Sequence, residues 1–116
     1  MRWPFTFIVD KLPIDPENRY GGQVLMFLIF IKKQYENDEG LYQHELVHVK
    51  QFFYRGLIIH NLRYAFSKSY RYRCEIEGYR KQLEYWPGQT ALYVSFICNK
   101  YNLDVDPDDV RKDLLK

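Results

Sequence analysis

Two histidines and a glutamate lie within five residues of this chain, in the segment His44-Glu45-Leu46-Val47-His48. Residues four apart share one face of an α-helix, so His44 and His48 can bind one metal ion through neutral imidazoles. Glu45 flanks that face and can accept a proton from a water molecule held by the metal. The segment therefore predicts two zinc ligands and a general base, provided that it is helical.

The same pattern can also occur by chance, as two exposed histidines and a glutamate on any polar helix. Here the chain has only three histidines, and two of them have the metal-binding spacing. Asp38 is a suitable N-cap before the segment and Gly56 a suitable stop after it, which predicts a helix from about Leu41 to Tyr54 or Arg55. The apolar residues of this helix recur at helical spacing, and its expected buried stripe is Tyr42, Leu46, Val49 and Phe53.

A catalytic zinc usually has three protein ligands, and the candidates for the third are His60, Glu75 and Glu77. His60 lies beyond the expected helix end, and its spacing from His48 is not that of the ligand that follows this pentapeptide in metzincins. Gly78, three residues after Glu75, would let a helix carrying Glu75 approach the zinc helix closely. The corresponding neighbours of Glu77 are Arg80 and Lys81, which would bring cations towards the metal. We therefore prefer Glu75 and keep Glu77 as the alternative.

Two further residues are candidates for contacts that orient the ligands. Tyr79, four residues after Glu75, can donate a hydrogen bond to one of them. Gln51, seven residues after His44, either orients a ligand or is an ordinary, partly exposed polar residue.

The remaining patterns predict an α+β fold in one domain, residues 1–116, with a small N-terminal sheet followed by the zinc-binding helix and three to four further helices. Strands are expected at Phe5–Val9 and Val24–Lys32, the second buried on both faces because it is continuously apolar. Gly21-Gly22 predicts a turn between them. The further helices are expected at Ile58–Phe66, Tyr70–Tyr85, Ala91–Tyr101 and after Asp106-Pro107.

Charge and composition narrow the classes of partner and the location. The net charge is +2, which gives little support for nucleic acid or a membrane as a partner, although basic and aromatic residues alternate around Tyr70–Arg73. The apolar run Phe5–Val9 is too short for a signal peptide, and Val24–Ile31 is too short to span a bilayer. With Cys74 and Cys98 both expected to be reduced, the prediction is a cytoplasmic protein.

The stretch His44–Gln51 (HELVHVKQ), followed by Glu75-Ile76-Glu77-Gly78-Tyr79, resembles the gluzincin metallopeptidases, specifically minimal single-domain members. The resemblance extends from Asp38 to about Leu83, and Tyr79 stands where that clan usually has an acidic residue. It implies a zincin-like fold and one Zn²⁺ bound by His44, His48 and Glu75. It also implies hydrolysis of peptide bonds with Glu45 as general base.

The resemblance further implies a peptide or protein substrate that pairs with an edge strand, either Val24–Lys32 or Thr6–Val9. A tyrosine or His60 is the candidate donor to the oxyanion. The main alternative is a zinc-binding protein without peptidase activity that acts as a peptide-binding or interaction module. A metal-free interaction protein with a surface of aromatic-rich helices is the other alternative.

Overall fold

The computed structural model describes residues 2–116 and contains a small sheet followed by five helices, so the predicted α+β class is confirmed. The strands are β1 (Thr6–Val9), β2 (Gly22–Leu25) and β3 (Leu28–Lys32). The helices are α1 (Glu39–Tyr54), α2 (Ile58–Phe66), α3 (Lys68–Tyr85), α4 (Thr90–Lys100) and α5 (Pro107–Leu114). Short 3-10 turns occupy Lys33–Tyr35 and Pro87–Gln89.

The sheet has the order β1-β3-β2, with β1 parallel and β2 antiparallel to the central strand β3. The single strand predicted over Val24–Lys32 is therefore wrong, because this segment is a hairpin that turns at Met26-Phe27. Met26 has a φ of 58°, in the left-handed region that usually calls for glycine or asparagine at such a turn. Because the residue at that position is apolar, the turn has no signal in the sequence. Gly22, expected in a turn, is the first residue of β2.

The two faces of the sheet have different environments. Ile29 and Ile31 of β3 are fully buried and pack with Tyr42 and Val49 of α1. On β1, Phe7 stacks against Phe30, yet it remains 44% exposed. The prediction that the apolar segment is buried on both faces is therefore wrong, since only the face towards α1 is covered.

Helix α1 begins and ends at the predicted signals. The Asp38 carboxylate accepts hydrogen bonds from the backbone N–H of Leu41 (3.0 Å) and from the indole N–H of Trp86 (2.9 Å). After the last turn, Gly56 has a φ of 105°, which an L-residue rarely adopts. The predicted stripe is correct at Tyr42 and Val49 but wrong at Phe53, which is 48% exposed.

Phe52 is buried in place of Phe53. The reason is that α1 contacts both the sheet and α3, so its buried surface is wider than one stripe.

Two apolar clusters lie on either side of the α1–α3 interface. One joins β3 to α1, and the other joins α3, α4 and α5 around Tyr79, Ile97 and Val110. Between them, polar side chains are buried, and these are His44, Glu45, Gln51, Glu75 and Gln82. Buried polar groups require hydrogen-bond or metal partners, so this interface is where a functional site is expected.

The two cysteines, Cys74 and Cys98, are both free, as predicted. None of the helices described here combines the length and the apolarity needed to cross a bilayer.

The two hydrogen bonds of Asp38 give a testable prediction for stability. We expect Asp38→Ala to lower the free energy of unfolding by about 1–2 kcal/mol, because the cap of α1 and the tie to Trp86 are both lost. Urea denaturation followed by circular dichroism measures the loss. Asp10→Ala is the control, since Asp10 is exposed and makes no hydrogen bond among the described residues. Equal effects of the two substitutions would contradict the capping role.

Candidate metal centre

His44, His48 and Glu75 meet at one point between α1 and α3. The two imidazole Nε2 atoms are 3.0 Å apart, and each lies 3.2 Å from Oε1 of Glu75. Ligands bound to a tetrahedral zinc at about 2.0–2.1 Å lie roughly 3.3 Å from one another. The three side chains thus form a group that can hold a metal ion, and the choice of Glu75 as the third member is supported by their convergence.

The outer nitrogen of each imidazole is held by a glutamine. Nδ1 of His44 donates to Oε1 of Gln82 and Nδ1 of His48 donates to Oε1 of Gln51, both at 2.9 Å. The amide of Gln51 is itself oriented, because its NH₂ donates to the carbonyl oxygen of Cys74 at 3.1 Å. With the hydrogen on Nδ1, each Nε2 presents a lone pair to the shared point.

Two lone pairs and a carboxylate that face one another require positive charge between them. The pKa values of the same groups reflect this requirement. Burial by itself would lower the pKa of His48, but the carboxylate of Glu75 raises it to about 9. Burial would likewise raise the pKa of Glu75, but the two imidazoles hold it well below its usual range. The donor set therefore fits a divalent cation.

Close packing of α3 on α1 depends on Gly78, as the sequence predicted. A Cβ at this position would lie 2.8 Å from Nε2 and 2.9 Å from Cδ2 of His44. Such contacts are shorter than real Cβ atoms make, so any side chain here would displace the imidazole. The helix carrying Glu75 can approach the helix carrying the histidines only because Gly78 has no side chain.

Glu45 lies beside this group, on the side of β2. Its side chain is 5% exposed, and a Cβ on Gly22 would lie only 3.2 Å from its Cγ. Burial raises the pKa of Glu45, although the imidazoles of His44 and His48 oppose that shift. A carboxylate with a raised pKa next to a metal position can accept a proton and release it again.

The other two candidates for the third ligand lie outside the group. Glu77 is half-exposed and pairs with Arg55 at 2.5 Å, and it accepts a weaker hydrogen bond from Gln51 at 3.3 Å. His60 is buried, and its Nδ1 is 2.6 Å from the hydroxyl of Tyr70. The preference for Glu75 over Glu77 and His60 thus agrees with the geometry.

The prediction that Tyr79 donates a hydrogen bond to a ligand is wrong. Its hydroxyl is paired with that of Tyr101 at 2.7 Å, and its ring packs edge-on against His44 at 4.3 Å between centroids. Because the hydroxyl extends into the apolar cluster of α3, α4 and α5, Tyr79 restrains the imidazole by packing alone.

Two residues that hold the group were missed from the sequence. Gln82 is seven residues after Glu75 and so on the same face of α3, a spacing that could have revealed it. Tyr64 donates its hydroxyl proton to Oε2 of Glu75, the oxygen that does not face the histidines. It comes from α2, and no sequence spacing connects it with Glu75.

The group and Glu45 line a cleft of about 730 Å³. One wall is β2 with Met26, and the other includes α2 and the segment that follows α4. His60, Asn61 and Tyr64 line the cleft from α2, and Tyr101 and Asn102 from the later segment. A ligand in this cleft would lie between the edge of the sheet and α2, next to Glu45.

No family model, curated protein or solved structure matches this chain.

The contact between Gly78 and His44 gives a second prediction. We expect Gly78→Ala to weaken metal binding about 10–100-fold, because the new methyl group displaces an imidazole. Alanine is the better helix former by about 1 kcal/mol, so helix propensity cannot account for such a loss. Competition with a chromogenic chelator measures the affinity.

Gly88→Ala is the matched control, since a Cβ at Gly88 would meet nothing within 4 Å. Equal metal affinity in the two alanine variants would contradict the close packing of α3 on His44.

Proposed function

We propose that this protein is a zinc-dependent metallopeptidase that hydrolyses peptide bonds with Glu45 as the general base. The observation that carries the proposal is the convergence of His44, His48 and Glu75 at 3.0–3.2 Å, with Glu45 beside them in a cleft. Three metal ligands and a neighbouring general base are the groups that a metal-assisted hydrolase requires. The resemblance of His44–Gln51 and Glu75–Gly78 to gluzincins adds support.

The donor set favours zinc among the common divalent ions. Two imidazole nitrogens and one carboxylate oxygen are typical of catalytic zinc sites, whereas magnesium and calcium prefer oxygen ligands alone. Three protein ligands also leave a coordination position open for water or substrate. His44, His48 and Glu75 would hold the ion.

When bound, zinc would polarise the scissile carbonyl group and lower the pKa of water. Glu45 accepts the proton of the attacking water and then transfers it to the nitrogen of the leaving amine. Burial against β2 raises the pKa of Glu45, although the imidazoles of His44 and His48 oppose that shift. Tyr64 holds the far oxygen of Glu75, which keeps the other oxygen directed at the histidines.

Peptide binding is proposed along β2. This strand pairs with β3 on one side only, and Gly22–Leu25 lines the cleft. A free strand edge can bind an extended peptide through main-chain hydrogen bonds. Of the two edges considered from the sequence, β1 is absent from the cleft lining, which favours β2. Val24, Leu25 and Met26 make that wall apolar, which suits apolar substrate side chains.

The alternative remains a zinc-binding protein that holds a peptide without cleaving it. The far wall of the cleft bears on this choice, because larger peptidases use an additional domain to form it. In this chain α2 and the segment after α4 already line the side opposite β2. A single domain can therefore form both walls, so the small size of the chain does not argue against a peptidase.

Replacing the base tests the two functions against each other. We expect Glu45→Gln to lower the rate of peptide hydrolysis at least about 10²-fold, since the amide cannot accept the proton. Zinc content should stay at that of the wild type, because Glu45 is not a ligand. Mass spectrometry of a digested peptide library measures turnover, and elemental analysis measures zinc.

Glu84→Gln is the control, because Glu84 lies on the surface and, among the described residues, pairs with Lys81 alone. Undiminished hydrolysis by a zinc-loaded Glu45→Gln variant would reject the assigned base. A zinc-loaded wild type that cleaves no peptide would favour the binding module.

A further inference from the structure

Helix α2 has its apolar side turned outwards. Four of its apolar residues are more than half exposed, namely Ile58 (60%), Ile59 (62%), Leu62 (54%) and Phe66 (84%). At 100° of helix rotation per residue, these four lie within about 100° of one another around the helix axis. His60, on the opposite side, is the only buried residue of this helix. An amphipathic helix of a globular protein normally directs its apolar stripe to the core. The reversed orientation indicates that something else covers these side chains.

Exposed apolar residues also directly precede α2 along the chain. Leu57 and Tyr54, which precede the helix, are 48% and 84% exposed. Together with Ile58, Ile59, Leu62 and Phe66 they form what we name the α2 apolar face. Contiguous exposed apolar surface of this kind marks contact with a partner or a membrane.

The distribution of charged residues along the chain favours the membrane over a protein partner. The segment from Leu46 to Cys74, with α2 at its centre, contains no acidic residue. It contains six basic residues, which are Lys50, Arg55, Arg63, Lys68, Arg71 and Arg73. The rest of the chain holds the other 11 basic residues and all 15 acidic ones. The net charge of +2, which argued against a membrane partner, is thus the sum of a basic segment and an acidic remainder.

Several of these cations border the α2 apolar face. Arg63 is four residues after Ile59 on α2, and Lys50 is four before Tyr54 on α1, so each shares a helix face with an exposed apolar residue. Both are exposed, and the ion pairs of the described residues include neither of them. The guanidinium of Arg63 lies over the ring of Tyr70 at 4.2 Å, a contact that leaves its charge without an acidic partner. Arg55 and Lys68 lie at the two ends and pair with Glu77 and Asp104.

We propose that α2 binds the surface of an anionic phospholipid bilayer, with the α2 apolar face in the acyl–headgroup boundary and Lys50 and Arg63 at the headgroups. An apolar helix face flanked by cations is the arrangement that binds such interfaces. A second copy of the chain fits less well, because a symmetric contact across α2 would bring the same cations of both copies together. The attachment is peripheral, since none of the described helices can cross a bilayer.

Co-sedimentation with unilamellar vesicles tests the proposal on the full chain. We expect the protein to bind vesicles of phosphatidylcholine mixed with phosphatidylglycerol, and to bind pure phosphatidylcholine at least about tenfold more weakly. Ile59→Ser with Leu62→Ser should lower the partition coefficient on the anionic vesicles at least about tenfold. Lys50→Glu with Arg63→Glu should lower it by at least about fivefold per cation, and only on anionic vesicles.

The matched control is Leu92→Ser with Leu115→Ser, two leucines that are 43% and 62% exposed on α4 and just after α5. This variant should bind as the wild type does. Metal content of every variant should be unchanged, because all the substituted side chains are exposed and none belongs to the ligand group. Thermal unfolding should also be unchanged, except that Arg63→Glu removes a guanidinium lying 4.2 Å from the ring centre of Tyr70 and should lower the melting temperature slightly.

Three results would overturn the proposal. They are absence of binding to anionic vesicles, equal binding by the α2 variants and the wild type, or a dimer in analytical ultracentrifugation that Ile59→Ser with Leu62→Ser dissociates. The last result would assign the α2 apolar face to a second copy. None of these outcomes depends on peptidase activity, so they are independent of the Glu45 experiment.

Discussion

The structure depends on one electrostatic requirement, which is that two imidazole lone pairs and a carboxylate share a point within 3.2 Å of one another. With both imidazoles neutral, these groups would repel one another in a buried setting unless a metal ion or a shared proton lies between them. Accordingly, although burial lowers the pKa of His48, the carboxylate of Glu75 raises it to about 9. A hydrogen bond fixes the orientation of each side chain from the side opposite the shared point. Gln82 binds His44, Gln51 binds His48, and Tyr64 binds Glu75. The three side chains are thus fixed in a geometry that could hold a metal ion, and such fixed ligands are the usual condition for tight and selective metal binding.

The same requirement explains the packing around the α1–α3 interface. Apolar clusters lie on both sides of this buried polar interface, and their burial offsets the cost of removing its polar groups from water. Two glycines bring the backbone close where a side chain would collide, Gly78 against His44 and Gly22 against Ile31, and the Cβ at Gly22 would also crowd Glu45. The sheet covers one side of α1 and leaves β2 at its edge, where Gly22–Leu25 lines the cleft.

Sequence reasoning succeeded where the signal was local. The histidine spacing, the cap at Asp38 and the stop at Gly56 each reflect a rule that operates within one helix. Gly78 was found in the same way, from its spacing of three residues after Glu75. It failed where contacts between different elements determine the local structure. The turn at Met26-Phe27 has no glycine to mark it, and the hydroxyl of Tyr79 is drawn to Tyr101 in an apolar cluster that the sequence did not reveal. Tyr64 could not have been found, because only the fold brings α2 to Glu75.

The most direct test of this account is the zinc content of the protein purified without chelators, compared with that of Glu75→Ala and Glu77→Ala. We expect about one zinc per chain in the wild type and in Glu77→Ala, since Glu77 is occupied by Arg55. Glu75→Ala should retain little or none, because it loses the only carboxylate of the ligand group. A wild type that binds no zinc, or equal zinc in the two variants, would contradict the account.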